Sequence, residues 1–460
     1  MAETKRERET LGSRLGFILL SAGCAIGIGN VWRFPYITGQ YGGGFFVLIY
    51  ILFLLILGIP LLTMEYAVGR ASRKSILPAF CTLEKPGTKW HLWGYIAMAG
   101  NYVLLFFYSV VSGWMLYYAY LMAAGTFTGK TTDEITGIFQ HMMGSPKIQI
   151  VSMLIVVLMT AVICSIGLQK SVESVTKVMM VALLLIMVAL GIRSLFLPGG
   201  GEGFAFYLKP SLARAKEAGI FNVVYAALNQ SFFTLSIGMG GMEIYGSYIG
   251  RDRSLLGEAV IVTGLDTFVA IVSGLIIFPA CFAYGVQPDS GPSLIFQTLP
   301  LVFSHMAGGR VFGTAFFIFL FFASLSTMIG VFENDQAFLI DLAHMKRQKA
   351  GILNGIVIAL CSVPCALGSN VWSAFQPLRP GNSIMDLEDF FVSDICLPVG
   401  SLIFALFCTV RFGWGFDHYL AEVNAGDGMK VPAKLSWYFK YVLPAIVAFL
   451  VVYGLISYFA

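Results

Sequence analysis

Eleven runs of roughly 20 or more apolar residues divide this 460-residue chain, at 14–38, 43–69, 92–125, 148–165, 169–197, 219–250, 256–287, 311–344, 350–369, 384–412 and 435–459. A helix of that length matches the hydrocarbon thickness of a bilayer. Inside hydrocarbon only helices and closed barrels pair their own backbone, so the runs predict an all-α integral membrane protein. Charge content agrees: 12% of residues are Asp, Glu, Lys or Arg, about half the ~25% of an average soluble domain. The fourth and fifth runs are parted only by Gly167-Leu168-Gln169-Lys170. Residues 1–13 form a polar, basic tail, and the run after it is too long and too interrupted for a cleavable leader.

Placing the N-terminus inside puts twenty of the Lys and Arg residues in cytoplasmic segments and eight in outer ones, with Arg33 left at membrane depth. That asymmetry predicts a cytoplasmic N-terminus and an outer C-terminus in a multi-pass protein of the cell membrane. The net charge of +4 carries little information, and no basic patch suggests nucleic acid. The eight cysteines form no CxxC pair and fall mostly inside apolar runs, so they read as small buried hydrophobes; Cys361 and Cys365 share a helix face.

The first run does not read as a plain helix. Ser21-Ala22-Gly23-Cys24-Ala25-Ile26-Gly27-Ile28-Gly29-Asn30-Val31-Trp32-Arg33-Phe34-Pro35 has three glycines in seven residues, then an Asn and an Arg. Glycine is the poorest ordinary helix former, and a helix broken here leaves amides and carbonyls that hydrocarbon cannot satisfy. A cation suits the freed carbonyls and an anion the freed amides. Five spans later, Phe232-Phe233-Thr234-Leu235-Ser236-Ile237-Gly238-Met239-Gly240-Gly241 repeats the pattern. Two interrupted helices at matching places in two five-span halves of opposite topology predict inverted repeats around a midplane site. The repeats span 14–197 and 219–412, with an outer loop at 198–218, a cytoplasmic loop at 413–434 and an eleventh helix within 435–460. The outer loop carries a short helix near 213–218. The stretch 293–306, interrupted by Pro300, suits a capping hairpin on the outer side.

Further residues point to ions. Ser324, Ser326 and Thr327 offer three hydroxyls in an otherwise apolar run, hard oxygens suited to an alkali cation. One such hydroxyl normally bonds its own helix. Arg33, Glu65, Asp266, Glu333, Asp335 and Asp389 are ionisable groups within spans, where charge is expensive and calls for a partner. Glu333 and Asp335 lie toward the cytoplasmic end, where water can reach them. Asp266 lies mid-span, where a bound cation or proton is the natural partner.

These residues also carry a resemblance. Arg14-Leu15-Gly16 and Gly27 to Pro35 resemble the first-helix signature of the neurotransmitter:sodium symporter family. Gly42-Gly43-Gly44-Phe45-Phe46 and Gly58-Ile59-Pro60-Leu61 through Glu65 to Gly69-Arg70 resemble its second helix. Phe232 to Gly240 resembles the sixth helix and the hydroxyl cluster the eighth. Eleven spans resemble the bacterial branch that transports hydrophobic amino acids, with the leucine-transporter-type fold.

The resemblance implies two sodium ions. One would lie among the Ala25 carbonyl, Asn30, Thr234, Asp266 and the substrate carboxylate. The other would lie among the carbonyls of Gly23, Ile26 and Ala323 and the hydroxyls of Ser326 and Thr327. The substrate carboxylate would meet the amides of Gly27, Ile28 and Gly29 and the Tyr108 hydroxyl. Its ammonium would meet carbonyls near Ala25, Phe233 and Thr234 and the Ser236 hydroxyl. Its side chain would lie among Val111, Phe233, Met239, Thr327 and Val331. Arg33 and Asp389 would close the outer side above Tyr108 and Phe233. Arg8 and Asp341, with Ser247 and Tyr248, would close the inner side, and Glu65 would hold the unwound sixth helix.

Monoamine members place an Asp where this chain has Gly27, so a substrate bringing its own carboxylate is implied. Asp266 where many members have Asn, with Ala270 where chloride-dependent members have Ser, implies chloride independence. Met239 stands where an aromatic residue is common, which suits a broad pocket. Ser171 and Val181 occupy places where the family has a Gly and a Pro, and Leu11 one where it has a Trp. The expectation is sodium-coupled symport of neutral, hydrophobic L-amino acids. Rival readings are a carrier of another zwitterion or an amine, an amino-acid sensor, and an ion channel. An enzyme is disfavoured, since HExxH and GxSxG motifs are absent. The sequence leaves oligomeric state open.

Overall fold

The structure is a computed structural model that describes residues 8–285 and 294–459. Its named elements are all helical, and one isolated bridge between Arg253 and Asp427 is the sole β pairing among the described residues.

The chain begins with α1 (Arg14–Ala25), whose first turn is capped by the Ser13 hydroxyl accepting from the Gly16 amide. At Ile26 the backbone leaves helical geometry (φ −72°, ψ 94°). Helix resumes as α2 (Gly29–Gln40), bent 55° from α1. The spans α3 (Gly44–Ser72) and α5 (Leu92–Ala123) flank the short α4 (Ile76–Leu83). Outside the bilayer on the opposite side lies α6 (Thr132–Gly144), followed by the spans α7 (Pro146–Ile166) and α8 (Leu168–Leu195). Gly167, at φ 143°, separates those two, and Leu168–Glu173 winds as a π-turn.

The outer loop holds two short helices, α9 (Gly201–Leu208) and α10 (Leu212–Glu217). The glycine-rich start read as loop thus enters helix at Gly201. The second half begins with α11 (Ile220–Thr234) and α12 (Gly241–Tyr248), then α13 (Leu255–Ala283). Of the predicted capping hairpin, Ser293 lies outside the described residues; Leu294–Thr298 is a π-turn leading into α14 (Leu299–His305). The spans α15 (Gly309–Ala343), α16 (Arg347–Gly368) and α17 (Ile384–Thr409) follow, then the short α18 (Phe416–Val423) and the last helix, α19 (Leu443–Phe459).

Among the described residues, nine helices are long and apolar enough to cross a membrane, and the bent α1–α2 pair makes a tenth. The run at 219–250, expected as the second interrupted helix, is two helices, each too short to cross alone. Its glycines are the reason: Gly238 (φ 115°) and Gly240 (φ 79°) adopt backbone that other residues resist. Together the two broken pairs and the continuous helices build the two inverted five-helix repeats, with α19 outside them.

α5 and α15 pack against each other more extensively than any other pair, and α1 lies against α15, α13 and α8. The broken segments are therefore enclosed on all sides. Residues such as Leu158, Val178 and Leu185 instead face outward and are about two-thirds exposed, an apolar surface that lipid covers.

Candidate functional site: two broken helices and their partners

The first break gathers both expected ion sites. Asn30 and Asp266 are fully buried. The Asn30 amide nitrogen donates to Asp266 Oδ1 at 2.7 Å, to the Asp266 carbonyl at 3.2 Å and to Thr234 Oγ1 at 3.0 Å. The Thr234 hydroxyl donates to Asp266 Oδ2 at 2.9 Å, and Tyr50 donates to Thr234 at 3.3 Å. The Asn30 oxygen does not face this cluster: it accepts from the Gly27 amide at 3.1 Å. A cation beside Asp266 would need that amide turned over, which exchanges oxygen for nitrogen without moving the backbone. Ala25 is the last residue of α1, at the edge of the same break.

The second group centres on Thr327. Its hydroxyl lies 3.4 Å from the Gly23 carbonyl, 3.3 Å from Cys24, 3.4 Å from Ile26 and 3.3 Å from Ala323. A hydroxyl has one hydrogen to give, so it cannot serve four carbonyls at once. Ser326 turns its hydroxyl to the Ala323 carbonyl at 3.0 Å. Several buried carbonyl oxygens and two hydroxyls thus share one small volume, the donor set of an alkali cation. The Cys24 carbonyl was missed by residue-type reading, because a carbonyl ligand leaves no mark on side-chain identity.

The amide side of the break meets Tyr108, whose oxygen accepts from the Ile28 amide at 3.0 Å. A Cβ on Gly27 would stand 2.5 Å from the Tyr108 oxygen and 2.7 Å from Thr327 Oγ1; one on Gly29 would stand 2.7 Å from the Phe233 ring. Larger residues at either position would fill the space between these groups. Gln230, also missed, donates to the Gly29 carbonyl at 3.3 Å. Val111 and Val331 are buried on α5 and α15. The Met239 sulfur lies against Gly100, two turns below Tyr108 on α5.

The second break is held by fixed partners. Glu65 accepts from the Gly238 amide through Oε1, and from the amides of Met242 (3.2 Å) and Glu243 (3.3 Å) through Oε2. Its carbonyls have donors too: Trp93 to Gly238 at 3.1 Å, Asn101 to Met239 at 3.0 Å, Asn334 to Met239 at 3.4 Å and Ser401 to Ile237 at 3.4 Å. Ser236 sits within this break at φ 50°. None of the four donors stands out in sequence, since each lies on a distant helix.

The inner closure is a dense network. Arg8 donates through Nη1 to both Asp341 oxygens at 2.7 and 2.8 Å, donates through Nη2 and Nε to Ser247 at 3.0 and 3.1 Å, and lies 4.8 Å over the Tyr248 ring. The Ser75 amide adds a bond to Asp341 at 2.7 Å, and Leu11 donates its amide to the Tyr248 carbonyl at 3.5 Å. The outer side differs from expectation. Arg33 stacks over Phe233 at 4.1 Å, while Asp389 accepts from Ser393, one turn along its own helix, at 2.6 Å. Among the described residues these two form no ion pair. The bent geometry of α2 aims the guanidinium at the aromatic lid.

Two further expectations are corrected. Glu333 and Asp335, expected within reach of water, are both fully buried. Glu333 is paired, receiving Tyr248 at 2.8 Å and Arg347. Neither oxygen of Asp335 has a hydrogen-bond partner among the described residues. Of the cysteines read as buried, Cys81 and Cys361 are exposed: Cys81 lies on α4, outside the bilayer, and Cys361 on the outer face of α16.

Two discontinuous helices around hydroxyl- and carboxylate-lined clefts, closed on one side by ion pairs, are the architecture of an ion-coupled membrane carrier. The chain belongs to the sodium:neurotransmitter symporter family, whose model matches residues 8–135 and 122–460. An uncharacterized sodium-dependent transporter of Bacillus subtilis (strain 168) is 33% identical over 97% of this chain and 98% of its own. The sodium-dependent serotonin transporter of Drosophila melanogaster is 26% identical over 99% of this chain and 78% of its own. The solved structure of MhsT in complex with L-phenylalanine is 36% identical and superposes with a TM-score of 0.87, over 97% of this chain and all of that one. The protein is thus a multi-pass, sodium-dependent transporter and not an enzyme.

Proposed function

We propose that this transporter carries neutral, hydrophobic L-amino acids inward with two sodium ions, by alternating access and without chloride. The observation that carries the reading is the buried Asp266–Asn30–Thr234 cluster beside the Gly27 opening. A fixed carboxylate supplies the negative charge that chloride would otherwise bring. Gly27 leaves the amide-lined space for a substrate carboxylate, with the Tyr108 oxygen at its edge. That MhsT was solved with L-phenylalanine supports the same substrate class.

In this reading, Ala25, Asn30, Thr234, Asp266 and the substrate carboxylate hold the first sodium. Gly23, Ile26, Ala323, Ser326 and Thr327 hold the second. Because the carboxylate is itself a ligand, sodium and substrate raise each other's affinity by one shared factor. Each inward charge adds about 2.3 kcal/mol at 100 mV. Phe233 and Tyr108 shut the outer side and Arg8–Asp341 the inner side in turn. The N-terminus is cytoplasmic and the C-terminus outside.

The test is thermal stabilisation of detergent-purified protein by each of the twenty amino acids, with sodium and with potassium. Stabilisation by aliphatic and aromatic amino acids in sodium alone is the expected result; stabilisation by amines instead would overturn it. Uptake into proteoliposomes should be unchanged when gluconate replaces chloride, and a collapse would refute chloride independence.

A further inference from the structure

The exposed cysteine of α4 has neighbours that the transport cycle does not use. Cys81 is followed three residues later by Glu84, which ends the helix, and His91 opens α5. One ligand atom from each of the three lies within 4.8 Å of the other two. The His91 Nδ1 and Glu84 Oε1 are 2.6 Å apart. The other carboxylate oxygen accepts from the His91 amide at 3.2 Å and from the Thr88 hydroxyl at 3.4 Å, so the carboxyl group is held from two sides.

The turn that carries these groups is also anchored. Lys85 donates to the Arg411 carbonyl, Trp90 donates to the Phe412 carbonyl at 3.2 Å, and the Trp90 ring stacks on Phe412 at 5.7 Å. The three side chains therefore project from a backbone fixed against the end of α17.

We propose that Cys81, Glu84 and His91 bind one borderline-soft divalent cation of the zinc class. Sulfur, imidazole and carboxylate together are a zinc donor set, whereas magnesium and calcium take oxygen alone. Around tetrahedral zinc, such ligand atoms stand about 3.2 to 3.6 Å apart, from bond lengths near 2.0 to 2.3 Å. The 2.6 Å contact between Glu84 and His91 has to open to that spacing, and water completes the fourth position. Thiolate and carboxylate together balance the ion's charge.

The cation's place gives it a consequence for transport. α4 begins beside Ser75, whose amide bonds Asp341 in the inner closure, and ends at this site. An ion here ties the far end of α4 to the start of α5, so the closure parts more slowly while the substrate site is untouched.

The experiment titrates tag-free, metal-stripped, full-length protein in detergent with zinc against a chromophoric chelator, and with cobalt for the thiolate-to-metal charge-transfer band. One equivalent should bind with that band, unaffected by excess magnesium. Cys81→Ser and His91→Gln should each weaken binding by about 100-fold or more, while Cys361→Ser, removing the other exposed thiol, changes nothing. Sodium-dependent thermal stabilisation by amino acids shows that each variant is folded. No saturable binding, binding that survives Cys81→Ser and His91→Gln, or loss with Cys361→Ser would overturn the site. In proteoliposomes, zinc should lower the maximal uptake rate at unchanged KM in the wild type but not in Cys81→Ser; an unchanged rate would overturn the tether. The binding arm needs no transported substrate, so its failure is separable from failure of the amino-acid reading.

Discussion

The two broken helices face the same problem and solve it differently. At the second break, between α11 and α12, each freed group named above has its own partner: one carboxylate for three amides, and side chains from α5, α15 and α17 for the carbonyls. At the first break, between α1 and α2, one hydroxyl stands near four carbonyls at 3.3 to 3.4 Å. An unmet hydrogen bond in a buried site costs roughly 1 to 3 kcal/mol, so the second break is built for permanence. The first has oxygen to spare for ligands that come and go. Interrupted membrane helices are thus not equivalent, and the partner list separates structural breaks from binding ones.

The sharpest way to break this contrast is Glu65→Ala. It strands the amides of Gly238, Met242 and Glu243 in a buried site, at a cost of about 3 to 5 kcal/mol. A large fall in melting temperature is expected that neither sodium nor substrate restores. A variant folding normally would show that the second break finds other partners. Thr327→Ala should do the opposite: melting in potassium shifts little, because the bonds lost are long, while sodium affinity drops about tenfold or more, the equivalent of ~1.4 kcal/mol. Equal melting losses in potassium for both variants would erase the distinction.

At the outer closure, Asp389→Asn should change substrate affinity by less than about threefold, under ~0.7 kcal/mol, since Asp389 holds Ser393 and not Arg33. A loss above tenfold in equilibrium binding would mean that an Arg33–Asp389 pair governs the closed state. The smallest effect concerns a helix end in water. At the start of α6 the Lys130 ammonium, then the Thr131 amide and hydroxyl, hold the Glu134 carboxylate down at about 2 from 4.5. A depressed carboxylate stabilises above its unfolded value and loses that contribution on protonation. Amide protection at the first turn of α6, measured relative to the intrinsic exchange rate at each pH, should therefore fall only as pH drops from 4.5 toward 2, with both membrane breaks unaffected. Fraying that begins above pH 4.5 would contradict the cap.

How much of this was legible beforehand varied with the kind of interaction. Spans announce themselves because hydrocarbon demands a long apolar run, and both breaks because three glycines or a Gly-Met-Gly segment cannot sustain a helix there. Asp266 and Thr327 were visible as polar groups in apolar surroundings, while the role of Thr234 came only from the family resemblance. Cys24, Trp93, Asn101, Gln230 and Ser401 were not, because a carbonyl ligand or a lone donor on another helix has no local signature. Cys81 was read as buried along with the other cysteines although it falls between two apolar runs, and the thiol is exposed.

By itself, then, the sequence determined that the chain spans a membrane as helices, that two of these are interrupted, and which families of side chains lie near the gaps. Those are local facts, set by residue-by-residue cost in hydrocarbon and by glycine's backbone freedom. Only the tertiary structure decided which break keeps fixed partners, that Arg33 lies on Phe233 and not against Asp389, and that Asp335 is sealed while Glu333 is paired. Each of those outcomes depends on which distant helix arrives with a donor, and that is settled by packing.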